Sequence, residues 1–304
     1  MKEIHIHLYG AVPLKYLKSI ANEEDYNALL SILTQVQNQE LNYHKAFDAF
    51  TYVNRILDSD SKIREGTKAL CEELAANEIN YVELRTGLKS LDGSMESYLQ
   101  SVLEGITRGT ENNDLTACLI LSLRRDTKRE IAELTVDLAI KYRDSGVVGI
   151  DISGDSTCGD CADIFEAIIR AKKFGFPITH HIGESPKETK EQQLLELETI
   201  IPNRIGHGVH LHDDAKKFVI KNRICIEMCL SSALYAGMIN DMKDHPALEL
   251  LTSNYPIAVC TDDPLIFGTT LSNEYAICSR VTNLTIDEIK ITQSLIEPYI
   301  FHKK

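Results

Sequence analysis

Glu3-Ile4-His5-Ile6-His7-Leu8, near the amino terminus, alternates polar and apolar residues with period two, the pattern of a β-strand with one polar and one packed face. His5 and His7 therefore project from the same face, about 6–7 Å apart along the strand. Two imidazoles so placed are able to share a metal ion. Alone, the pair is equally well two ordinary histidines on a polar strand face.

Seven further β-rich runs follow, at 81–85, 116–121, 147–152, 177–181, 204–207, 224–228 and 257–261. Between them lie stretches with apolar residues at helical spacing, such as 62–76, 128–144, 162–174 and 188–200. Eight β units alternating with helices predict an α/β fold, a closed parallel TIM (β/α)8 barrel, rather than an open sheet. The first connection is the exception. Residues 12–75 carry several helices and the Phe47/Phe50 pair, and an insertion at the carboxyl end of a barrel strand is where a lid is built. The expectation is one domain, 1–304, with 12–75 as a helical, lid-like insertion.

The residues with chemical potential are unevenly placed. His5, His7, Gly154, Asp155, His181, Glu184, His207, Asp262 and Asp263 all fall at or just beyond the carboxyl ends of predicted strands. In a barrel those ends converge on one mouth, where active sites lie.

The composition, 43% hydrophobic and 25% charged, is that of a globular protein. A net charge of −13 argues against nucleic acid or anionic membrane as a partner. No apolar run has transmembrane length and no signal-peptide core opens the chain. The eight cysteines are scattered, several of them in apolar runs, which fits buried thiols in a reducing cytoplasm. Cys158-Gly-Asp-Cys161 is a lone CxxC, read as a loop pair rather than a zinc site.

His5-Ile6-His7-Leu8-Tyr9-Gly10-Ala11, His181-Ile182-Gly183-Glu184, Arg204-Ile205-Gly206-His207-Gly208 and Thr261-Asp262-Asp263-Pro264 occur in an order that resembles the adenosine deaminase family. The likeness extends over nearly the whole chain. It implies hydrolytic deamination of a 6-aminopurine, with one zinc ion per chain held by His5, His7, His181 and Asp262. Three imidazoles and a carboxylate suit zinc and leave a position for water, whose pKa the metal lowers. By the same resemblance Glu184 is the proton donor at purine N1, His207 orients the water and stabilises its developing charge, the zinc ligand Asp262 counts with them among the catalytic residues, Asp263 meets N7, and the Gly154 N–H reaches N3. A nucleobase-deaminase arrangement of His-x-Glu and Pro-Cys-x-x-Cys is absent, since Thr157 precedes Cys158.

Tyr9 departs from the family. Relatives acting on adenosine carry Asp there, adenine-directed ones Glu, and a nucleotide-directed branch Asn. Tyr9 is expected to point into the mouth, where its phenol donates to the substrate or its ring fills part of the sugar subsite; the alternative is a ring turned to the rim. Cys229-Leu230-Ser231-Ser232-Ala233 also departs from the pattern and is expected to touch no metal ligand. Arg85, Arg124 and Arg125 read as structural ion-pair partners, with an anionic substrate group as the alternative. Two other functions stay open: a metal-dependent hydrolase of another amide or cyclic amidine, and a non-catalytic purine-binding protein. Oligomeric state is not readable from the sequence.

Overall fold

Eight strands form one parallel sheet in sequence order: β1 (Lys2–His7), β2 (Tyr81–Thr86), β3 (Thr116–Arg124), β4 (Val147–Ser153), β5 (Ile178–Ile182), β6 (Arg204–His207), β7 (Cys225–Met228) and β8 (Ile257–Val259). The computed structural model describes residues 1–39, 47–158 and 161–302. Residues 40–46 of the expected lid and 159–160 of the CxxC loop lie outside them. The ring closes just beyond β8, where the Asp262 N–H donates to His5 O and the His7 N–H donates to Asp262 O, both at 2.9 Å. Helices Met95–Thr110, Arg129–Lys141, Phe165–Lys173, Lys190–Ile200 and Asp213–Lys221 return the chain between β2 and β7. The expected barrel is the observed one.

Between β1 and β2 run helices Leu14–Ile20, Glu23–Gln37, Asp48–Ile56 and Asp60–Ala76. The last shows why these segments are helical. Ser59 caps its amino end, accepting from the Lys62 N–H at 3.3 Å, a contact worth about 1 kcal/mol. Ile63, Thr67, Leu70, Cys71 and Leu74 then recur at three- and four-residue spacing and are buried. Each fully buried leucine adds about 1.5–3 kcal/mol.

The period-two reading of β1 holds from His5 onward but not before it. Glu3 pairs with Val82 and Ile6 with Leu84, so Ile4 and His5 together oppose Glu83 in a β-bulge. Ile4 consequently packs with Tyr81, Cys118, Cys225, Ala258 and Cys260 at the amino-terminal end of the barrel. Glu3 is turned the other way. Its carboxylate accepts from the His5 N–H at 2.9 Å and from the N–H and hydroxyl of Thr261 at 3.0 and 2.8 Å.

Above that apolar floor the barrel interior is ionic. Arg85 reaches Glu227 at 2.6 Å and Asp151 at 3.4 Å, while Arg204 reaches Glu83 and Glu227, each at 2.6 Å. All five side chains are sealed from solvent. Charges so buried are tolerated only when paired and hydrogen-bonded. The carboxyl-terminal segment completes the set: the Phe301 N–H donates to Glu83 at 2.7 Å, Arg204 donates to Tyr299 O at 3.0 Å, and its guanidinium lies 3.6 Å over the Phe301 ring.

Candidate active site

The β1 bulge sets His5 into the barrel directly above this ionic layer. Its Nδ1 lies 2.7 Å from Glu227 Oε2, which fixes the ring. The opposite nitrogen, Nε2, is buried without a hydrogen bond among the described residues and stands 3.2 Å from Asp262 Oδ1. His181, on β5, is oriented in the same way, with Nδ1 2.9 Å from Asp151 Oδ1 and 3.0 Å from Ile152 O. Its Nε2 faces that of His7 at 3.1 Å, and His7 Nε2 is 3.3 Å from Asp262 Oδ1.

The ligand atoms of His5, His7, His181 and Asp262 all lie within 4.8 Å of one another. Ligands about 2.0–2.2 Å from a shared zinc ion stand about 3.3–3.6 Å apart in tetrahedral geometry, so the set fits zinc. Three imidazole nitrogens and a carboxylate oxygen gathered in one pocket are the donor set that zinc takes. Burial, with the charge of Arg85, lowers the pKa of His5, and burial pushes that of His7 down to about 3; both present lone pairs. For His181 burial is outweighed by Asp151, which pushes the pKa up to about 9. Asp262 is held well below the usual carboxylate range: burial opposes ionisation, but the adjoining His5 imidazole, with those of His207 and His7, prevails.

Asp262 and His207 both adopt left-handed backbone, φ +65° and +63°, uncommon for residues with a side chain and concentrated at functional sites. That turn aims His207 Nε2 at Glu184 Oε1, 3.1 Å away, with Asp262 Oδ2 at 3.9 Å. Burial works against ionisation of Glu184, yet the His207 hydrogen bond and the imidazole charges keep its pKa below the ordinary value. Its other oxygen, Oε2, is buried with no partner among the described residues.

One expectation is corrected here. The segment 229–233 does touch a metal ligand, because Ser232 donates to Asp262 Oδ2 at 2.6 Å. Helix Leu230–Tyr235 starts almost directly after β7, so its first turn faces the end of β8.

Asp263 Oδ1 is likewise buried with no partner among the described residues, and burial beside Asp262 and Glu184 pushes the Asp263 pKa well up. Gly10 makes room for it, since a Cβ at that position would fall 1.7 Å from Asp263 Oδ1. Gly154 follows β4 with φ +94°, at the edge of the same cavity.

That cavity, about 480 Å³, is lined by His7, Tyr9, Lys89, Gly154, Glu184 and Asp263 among others, with Phe47, Phe50 and Asn54 from the insertion. Its volume is typical of small-molecule sites. Tyr9 lines it with its ring rather than its phenol: Lys89 Nζ lies 3.3 Å from the ring centroid, while the hydroxyl is buried beside Tyr98, and burial raises its pKa. Arg85 and Arg125 are structural, Arg125 being 2% exposed and paired with Glu196. Arg124 lines the cavity with a largely exposed side chain paired to Asp126. In the CxxC, Cys158 is exposed and Cys161 buried against Arg125; among the described residues neither joins a group able to hold a metal.

Sequence reasoning passes over Lys89, Asp151 and Glu227 and misjudges the reach of Ser232. For Asp151 and Glu227 a signal existed, a charge inside an otherwise apolar strand of a sheet buried on both faces. Lys89 and Ser232 carry none that spacing would reveal.

Among the described residues no helix is long and apolar enough to cross a membrane. The chain is similar to the N6-methyl-AMP deaminase of Mus musculus, with 29% identity over 93% of this chain and 82% of that one. Its fold matches an Arabidopsis N6-mAMP deaminase with TM-score 0.91 and 27% identity, covering 99% and 93% of the two chains. Arabidopsis ADAL complexed with IMP matches with TM-score 0.90, again at 27% identity, over 99% and 92%. The model of the adenosine deaminase family matches residues 1–295. With the histidine–aspartate quartet in the barrel mouth, this match places the chain in the adenosine deaminase family as a zinc-dependent aminohydrolase that deaminates a 6-aminopurine.

Proposed function

We propose that the substrate is a 6-aminopurine nucleotide of the N6-substituted AMP class. Water adds at C6, the C6–N6 bond breaks, and N6-methyl-AMP yields IMP and methylamine. Lys89 carries the nucleotide part of this reading. It lines the cavity over the Tyr9 ring and donates to Asn54, and no carboxylate among the described residues pairs with it. Burial lowers its pKa to about 8, a penalty that an entering phosphate offsets. The names of the Mus musculus and Arabidopsis relatives, and the IMP held by ADAL, support the same class.

The residue roles follow. Zinc, held by His5, His7, His181 and Asp262, when bound lowers the pKa of a water molecule and acts as Lewis acid. Glu184 takes a proton from the attacking water and delivers it to purine N1. His207, with Asp262, orients that water and stabilises the charge developing on its oxygen. Asp263 bonds to N7 through its partnerless Oδ1, the Gly154 N–H donates to N3, and the Tyr9 ring walls the sugar subsite. We read the chain as one catalytic domain, 1–304, with 12–75 as its lid; the Phe47, Phe50 and Asn54 lining supports this. The buried thiols of Cys71, Cys118, Cys225, Cys229, Cys260 and Cys278 suit a reducing cytoplasm.

Steady-state rates on N6-methyl-AMP, AMP, adenosine and adenine, with the released amine identified, test the reading. The nucleotides should have the highest kcat/KM. Adenosine preferred over both by about a hundredfold overturns it.

A further inference from the structure

Glu188 makes no contact with the zinc quartet or the cavity, yet it is 3% exposed. Its carboxylate is wrapped by the loop that carries Glu184. Oε2 accepts from the Gly183 N–H at 2.8 Å, and Oε1 accepts from the N–H groups of Glu184 and Ser185 at 2.8 and 3.1 Å. Three consecutive backbone donors converging on one anion make an anion nest, here filled by a side chain from five residues downstream of its first donor. The curl needs Gly183, whose φ is +70° and whose absent Cβ would meet Leu211 N at 3.1 Å.

The same carboxylate reaches the loop that follows His207. Gln193, itself 0% exposed, donates to Glu188 Oε2 at 3.2 Å and to His210 O at 3.0 Å, and accepts from the His212 N–H at 2.9 Å. His212 Nε2 lies 2.9 Å from Glu188 O, and the His210 N–H donates to Gly183 O at 2.7 Å. Glu188 and Gln193 thus stitch the backbone of the Glu184 loop to that of the His207 loop. The two side chains so held meet at 3.1 Å over the quartet.

We infer that Glu188 is a positioning residue for the Glu184–His207 pair. Proton transfer requires donor and acceptor within hydrogen-bond reach, and a buried carboxylate that satisfies three N–H groups at once leaves the loop a single conformation. A carboxamide cannot replace it, because its NH2 group would face an N–H donor. This inference rests on the role assigned to Glu184 above.

The test uses the zinc-loaded full chain and four variants: Glu188→Gln, Glu184→Gln, the double substitution and Gln193→Met. Glu188→Gln should retain zinc and leave KM within a few-fold. Its kcat should fall about a hundredfold, the scale of a 1 Å misplacement of reacting groups, and the limb of the kcat–pH profile set by Glu184 should move. Once Glu184 is Gln, adding Glu188→Gln should cost little more, since residues acting as a unit are non-additive. Full turnover per bound zinc in Glu188→Gln overturns the inference, as does a loss that multiplies in the double variant. If Glu184→Gln alone keeps its rate, the role of Glu184 fails instead, and the two failures are distinct. Should Glu188→Gln not fold, Gln193→Met decides: it leaves the nest and removes the three hydrogen bonds by which Gln193 ties Glu188 to the His207 loop, so reduced kcat with zinc retained supports the inference and unchanged kcat overturns it.

Discussion

His5 Nδ1 stands 2.7 Å from Glu227 Oε2, and both side chains are sealed from solvent. The other oxygen of that carboxylate accepts from Arg204 at 2.6 Å and from the Thr179 hydroxyl at 3.0 Å, and Arg85 shares Oε2 at 2.6 Å. The zinc ligand is therefore oriented from beneath by a carboxylate that two guanidinium groups hold as an anion. Those guanidinium groups are in turn fixed by Glu83, Asp151 and the backbone at Tyr299.

Removing the charge at that junction should cost both metal and stability. Glu227→Gln keeps the size of the side chain but leaves Arg85 and Arg204 short of a counter-charge and His5 without its anchoring acceptor. Zinc affinity should fall about 10–100-fold, as for other outer partners of a metal-bound histidine. Breaking a buried pair costs about 3–5 kcal/mol, so the melting temperature should fall sharply. Competitive zinc titration and calorimetry check the two effects; wild-type zinc affinity would show that Glu227 serves the fold alone.

Ser232→Ala removes the only hydroxyl that donates to Asp262 among the described residues, at 2.6 Å. The site is otherwise intact, and a lost hydrogen bond to a charged group costs about 1.5–3 kcal/mol. Turnover per chain should drop about tenfold or more while the fold persists. Zinc content together with kcat measures it, and an unaltered rate would mean that the backbone bonds at Asp262 suffice to hold the carboxylate.

The reach of the sequence follows from what each residue answers to. The barrel was legible because apolar runs and helical spacing report burial directly, and the quartet because His5, His7, His181 and Asp262 sit at strand ends, where topology brings them together. The β1 bulge was not legible: Ile4 and His5 share a facing residue only because of how β1 pairs with β2, a fact of register and not of local pattern. Ser232 escaped for a related reason, since its contact with Asp262 joins residues thirty positions apart across the turn after β7. For Tyr9 the alternation carries only the choice of face; that its ring rather than its hydroxyl lines the cavity depends on Tyr98, far along the chain.

Gly10→Ala tests the room given to Asp263. A methyl group 1.7 Å from Oδ1 cannot be accommodated, so the carboxyl must swing out of the position proposed above for its contact with purine N7. The Leu265 N–H donates to Gly10 O at 2.8 Å, so the loop after β8 shifts as well. kcat/KM should fall about a hundredfold, the scale on which misplaced groups act, whereas zinc content should stay near wild type because the quartet does not contact Gly10. A variant with full activity would place the N7 contact elsewhere.

Lys89→Met should make the protein worse as a nucleotide enzyme and more stable as a fold. Burial lowers the Lys89 pKa from 10.5 to about 8. A lysine whose folded pKa lies below its unfolded value binds more protons when unfolded, so its penalty is full below about pH 8. The penalty fades as pH rises from the folded toward the unfolded value. Removing the amine should therefore raise stability at neutral pH by on the order of 1–2 kcal/mol, discounted for the solvent the cavity admits, with the gain vanishing above the unfolded value of 10.5. Activity should move the other way. In the wild type, KM for N6-methyl-AMP should be flat below pH 8 and climb above it as the ammonium is lost, while KM for adenosine shows no such limb. In Lys89→Met the nucleotide should lose about 10–100-fold in kcat/KM and its pH limb, the scale of a charge-assisted contact of about 1.5–3 kcal/mol. Parallel pH profiles for nucleotide and nucleoside in the wild type would remove Lys89 from the phosphate subsite.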